Sequence, residues 1–186
     1  PVSLTACKNT RHRDTAATCT YRRPLCTSLK NSMKDKIEKF KVVGKVYAWK
    51  YLENQRNYPG WNLTADLKAS KNLSELLDLM MISEWSIKKT IPTELPTENQ
   101  IKIPNNKNGI AKWKSSPKLT LHYMKGESEN HWLIKETDNS VEIQFGKTKL
   151  IDFKNAINGI PKGEGDYAIS DQDAKSILYF WWNSEK

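Results

Sequence analysis

Arginine, cysteine, histidine and long apolar runs are all scarce in this 186-residue chain, and each scarcity excludes something. No run of ~18 apolar residues exists, so no membrane-spanning helix is expected and no membrane partner is assigned. The three cysteines, Cys7, Cys19 and Cys26, all lie before residue 33. The part that follows therefore has no disulfide framework and suits a reducing, cytoplasmic setting. Catalytic signatures are missing too: there is no HExxH, no GxSxG, no Walker sequence and no cysteine nucleophile after Cys26. No catalytic residue, metal ligand or cofactor is assigned on this basis, and the chain leans away from being an enzyme.

What is present changes character at Met33. Residues 1–32 carry all the cysteine and four of the five arginines, with six Lys and Arg against one acid, a net of +5. Residues 33–186 carry 24 against 20, a net of +4, with Arg56 their only arginine. Two stretches this different read as a leader over 1–32, non-native, upstream-translated or disordered, and a single domain over 33–186. A zinc site from Cys7, His12, Cys19 and Cys26 is disfavoured, because gaps of four, six and six residues form no tight ligand turn. A secretory signal is disfavoured because the leader has no continuous apolar segment. The second stretch is long enough to bury a core and only mildly basic, a weak footprint for nucleic acid.

Periodicity supplies the elements. Residues 37–52 mix β-branched and aromatic side chains, and Tyr47, Trp49 and Tyr51 alternate as in a strand. Asn57-Tyr58-Pro59-Gly60 is a turn signal, and 61–65 reads as a second strand. Leu73, Leu76, Leu77 and Met80 fall on one helical face, with Asn72 and Glu75 at capping-box spacing. Residues 85–87 form a short strand, and 91–118, broken by four prolines, an irregular connection with one brief strand. Leu119, Leu121 and Tyr123 alternate, Trp132 and Ile134 continue a strand, and Asp138-Asn139 turns it into Val141, Ile143 and Phe145. Leu150, Phe153, Ile157 and Ile160 stripe a second helix that stops at Gly159 and Pro161. Residues 166–169 and 177–182 close the chain, the latter apolar on both faces and expected to pair centrally or be covered. The class is α+β: a mainly antiparallel sheet with two helices packed on it.

Three constellations bear on function. Lys112, Trp113 and Lys114 place an indole between cations, a pattern able to neutralise phosphate and stack on a base. His122 and His131 stand at the ends of an expected hairpin and, with Asp166, are the candidate acid–base group. Seven tryptophans follow Met33; most belong in a core, but Trp113 and Trp182 are expected to reach solvent. Gly163–Asp166 is a turn rather than a phosphate loop, since the glycines follow a helix and acids sit among them. The sequence thus points first to a non-catalytic binding module with a protein partner, of the accessory kind met in bacteria. An enzyme built on His122, His131 and Asp166, and a weak nucleic-acid binder through Lys112, Trp113 and Lys114, are the alternatives.

Overall fold

The computed structural model describes residues 33–53, 58–102, 104, 111–164 and 167–182. Over these residues the chain forms four α-helices and nine strands. Helix α1 covers 33–39. Then come β1 (Val46–Tyr51), β2 (Trp61–Ala65), α2 (Leu67–Met81), β3 (Ile87–Pro92), α3 (Glu98–Lys102) and β4 (Trp113–Ser115). The second half holds β5 (Lys118–Tyr123), β6 (Trp132–Thr137), β7 (Ser140–Phe145), α4 (Lys147–Gly159), a 3-10 turn (Ile160–Lys162), β8 (Tyr167–Ser170) and β9 (Ile177–Phe180).

The strands build two sheets, in the orders β4-β1-β2-β9-β8 and β3-β5-β7-β6. The class is α+β as expected and most pairings are antiparallel, but two sheets and four helices stand where one sheet with two helices is expected. Each sheet is mixed, because β2 runs parallel to β9 and β5 parallel to β7 while the other neighbours are antiparallel. The strands that take inner positions are those buried most completely. β7 enters between β5 and β6 because Val141, Ile143, Gln144 and Phe145 are all buried, whereas β6 ends in exposed Lys135, Glu136 and Thr137 and takes the edge. The Ile177–Trp182 run likewise starts as an inner strand, β9 lying between β2 and β8.

The two predicted helical stripes are buried as expected. Leu73, Leu76, Leu77 and Met80 of α2, and Leu150, Phe153 and Ile157 of α4 with Ile160, face the main core with at most 2% exposure. Phe153 is where α4 meets both sheets, its ring 5.8 Å from Phe145 of β7 and 5.3 Å from Phe180 of β9. The start of α2 differs from the sequence reading. Asp66, not Asn72, is the N-cap, its side chain accepting from Ala69 N at 2.7 Å. Asn72 Oδ1 instead accepts from Val43 N at 2.9 Å. The strand expected over 37–52 is confined to β1. Residues 33–39 turn helical and bury Ile37 in the core.

Candidate functional site

The five-stranded sheet has two dissimilar faces, and the strand period of two decides which side chain goes where. Val46 and Ala48 of β1, Trp61, Leu63 and Ala65 of β2, and Leu178 and Phe180 of β9 join the main core. The intervening residues, Tyr47, Trp49 and Tyr51 of β1, with Trp181 beyond β9, build a separate cluster on the other face. Ile101 of α3 closes over it, and the Tyr51 hydroxyl donates to the Ile101 carbonyl. Burial pushes that hydroxyl up to about 12, against a smaller opposing pull from the neighbouring Trp49 side chain.

Two polar side chains of β2 sit beneath the aromatic layer and fix it. Asn62 Oδ1 accepts from Trp181 Nε1 at 2.8 Å, and Thr64 Oγ1 donates to the Trp181 carbonyl at 2.8 Å. Both are fully buried, so the cost of taking them out of water is offset only while those bonds hold. Around this layer lie half-buried Tyr58, Trp113, Tyr179 and Trp182. Tyr58 meets Tyr179 edge-on at 5.4 Å and Trp181 at 5.3 Å, and Trp182 meets Trp181 at 6.1 Å. These separations put the rings in mutual contact, leaving no gap between them for a caged cation. The arrangement offers a firm aromatic surface rather than a pocket.

Trp113 and Trp182, distant in the sequence and sharing no motif, therefore border one cluster. Trp85, in the bend between α2 and β3, is a third half-buried tryptophan that the periodicity did not flag. Tyr58 and Tyr179 were also missed. Tyr179 lies in a run that is apolar on both faces and so marks no exposed side, and Tyr58 lies inside a turn motif. Lys112 and Lys114 flank Trp113 but each faces a carboxylate. Lys112 Nζ lies 3.1 Å from Glu53, and Lys114 pairs with Glu136, which also receives Lys50 at 3.6 Å. Partial burial pushes Glu136 up, but these two lysines outweigh it and hold the carboxyl below its usual range.

The histidines are not brought together. β5 and β6 do not pair as a hairpin, because β7 runs between them. His122 on β5 is therefore separated from β6 by the whole width of β7. His122 Nδ1 instead meets Glu142 Oε1 at 3.0 Å, and Gln144 donates to the same oxygen at 2.6 Å. Partial burial raises Glu142, but the hydrogen bonds from Gln144 and His122 and the charges of His122 and Lys88 leave it below the usual carboxylate range. His131 precedes β6, and its carbonyl accepts from Gly146 N at 2.8 Å. Asp166 lies outside the described residues.

Among the described residues no group of three or more His, Cys, Asp or Glu is placed to hold a metal ion, and no helix is long and apolar enough to cross a membrane. A cleft of about 380 Å³ opens between α1 and β3, lined by Met33, Trp85 and Ile87 with Lys34, Glu38 and Lys88. Its Lys34 and Glu38 pair with each other at 3.6 Å, so no acid–base set converges there. Comparison with protein-family models, with curated proteins and with solved structures gives no match.

Proposed function

We propose that this chain is a non-catalytic binding module whose aromatic face, presented by Tyr58, Trp113, Tyr179 and Trp182, docks on a protein partner. One observation carries the reading: four half-buried aromatic side chains ring a buried aromatic layer on the sheet face turned away from the main core. Tyrosine and tryptophan concentrate binding energy at protein interfaces because a rigid ring buries large area at little cost in rotamer entropy. The Asn62 and Thr64 bonds support the surface from below, so little ordering is needed when a partner arrives. The exposed Lys112–Glu53 pair lies on the rim, where charge steers encounter more than it adds affinity.

The test is capture of proteins from the source cell by the full chain, compared with Trp113→Ala/Trp182→Ala. The double variant is expected to lose the captured protein at least tenfold, while Trp85→Ala, on a different surface, retains it. Equal capture by the double variant overturns the proposal. Loss of the captured material on nuclease treatment does so as well, and favours the nucleic-acid reading despite the carboxylates facing Lys112 and Lys114.

A further inference from the structure

Four strands end the two sheets: β3 and β6 in one, β4 and β8 in the other. An open edge presents backbone N–H and C=O groups to any strand that comes alongside, and proteins blunt such edges with lysine, proline or brevity. Three of these edges are blunted. β3 carries Lys88, Lys89 and Pro92, β6 carries Lys135 and Glu136, and β4 is three residues long and holds Lys114. β8 is different: Tyr167-Ala168-Ile169-Ser170 contains no charge and no proline. Its inner side pairs with β9 from Tyr167↔Phe180 to Ser170↔Ile177, and among the described residues no strand pairs with its outer side. Tyr167 is 41% exposed, and α4, which packs against β8, leaves Ile151 40% exposed.

We infer that β8 is the contact of a symmetric dimer, in which two copies of this chain pair their β8 strands antiparallel and join two five-stranded sheets into one. A two-fold axis sets each strand against itself, so a charge near the axis meets its own kind. The edges bearing Lys88 and Lys89, or Lys135, would bring lysine against lysine; the neutral β8 does not. The acid that follows it, Asp171, has Oδ1 on Ser176 N at 2.9 Å and is turned into the β8–β9 connection. In an antiparallel pair alternate residues direct both backbone groups outward, so two four-residue strands exchange about four hydrogen bonds. Exposed Tyr167, and Ile151 on the helix packed behind, add apolar area beside them.

Sedimentation equilibrium on the full chain tests this. The mass is expected to rise from 21.5 kDa towards twice that value across the micromolar range. Ala168→Lys and Ala168→Asp, each at an exposed position next to the axis, are each expected to weaken dimerisation at least tenfold. An equal mixture of the two is expected to restore the dimer, because lysine then faces aspartate. That rescue separates a lost contact from a damaged fold. A wild-type chain that stays at 21.5 kDa throughout, single variants that dimerise as tightly as wild type, or a mixture that stays monomeric each overturns the inference.

Discussion

Asp66 serves two backbone donors at once. One carboxylate oxygen caps α2 through Ala69 N at 2.7 Å, and the other takes Lys45 N at 2.8 Å, fastening the approach to β1. Asp66→Ala is expected to lower unfolding free energy by about 1–2 kcal/mol, since it removes a cap and a second acceptor together. Asn72→Ala, which loses one exposed bond to Val43 N, is expected to cost less. Chemical denaturation of both variants checks the order. The reverse order would return the cap to Asn72, where capping-box spacing had put it. The sequence misled here for a physical reason. Leu67, the first residue of α2, is 71% exposed, and the first turn buries only the small side chains of Ala69 and Ser70, so the helix begins before the apolar stripe at Leu73 announces it. Asp66 was legible as a cap residue but not as the cap of that stripe.

At the scale of elements, burial patterns were legible and partners were not. Leu73, Leu76, Leu77 and Met80 mark one buried face wherever α2 is placed, because the 3.6-residue period is local. The alternation of Leu119, Leu121 and Tyr123 says that one side of β5 is dry, but any strand with a dry side satisfies it. That β7 rather than β6 lies beside β5 depends on which of the two can withstand an edge. The same holds for the aromatic face: each ring could be read as buried or exposed, but their convergence needed the β2–β9 pairing. That pairing rests on Gly60. A Cβ built there would lie 2.1 Å from the Ile177 carbonyl oxygen and 2.7 Å from its carbon, both backbone atoms unable to swing aside. Gly60→Ala is therefore expected to destabilise the fold by more than ~2 kcal/mol, within the range of severe single substitutions. It is also expected to speed amide exchange at Tyr179 and Trp181, the residues whose N–H groups face β2, as Trp181 N does in donating to the Leu63 carbonyl. A variant as stable as wild type would show that β2 and β9 do not approach this closely.

Across the whole molecule two apolar layers lie on opposite sides of one sheet, and Tyr51 makes the smaller one sensitive to alkali. Its hydroxyl ionises at about 12 in the folded chain, against 10.0 for an unperturbed tyrosine, chiefly because burial disfavours the phenolate. The folded state thus holds a proton that the unfolded state releases between those values. The stability this contributes is complete below pH 10 and is lost as pH rises towards 12. Denaturant midpoints measured from pH 8 to pH 12 are expected to fall over that upper interval. In Tyr51→Phe, which cannot ionise, the fall is expected to be shallower, although the bond to Ile101 is gone at every pH. Parallel curves for the two proteins would mean that Tyr51 is not shielded from solvent.

The β2–β9 pairing also orders events in time. Trp61 finds Leu178, and Leu63 finds Phe180, across nearly two thirds of the chain. Trp181 N then donates to the Leu63 carbonyl at 3.0 Å. During synthesis β1 and β2 can meet early, but one side of β2 stays open until β9 has left the ribosome. Contacts this distant in sequence form slowly because the intervening loop must first be closed. The nascent chain therefore carries an unpaired, fully buried-type strand from the synthesis of β2 until that of β9, the interval in which chaperones meet it and in which misassembly between neighbouring chains would start.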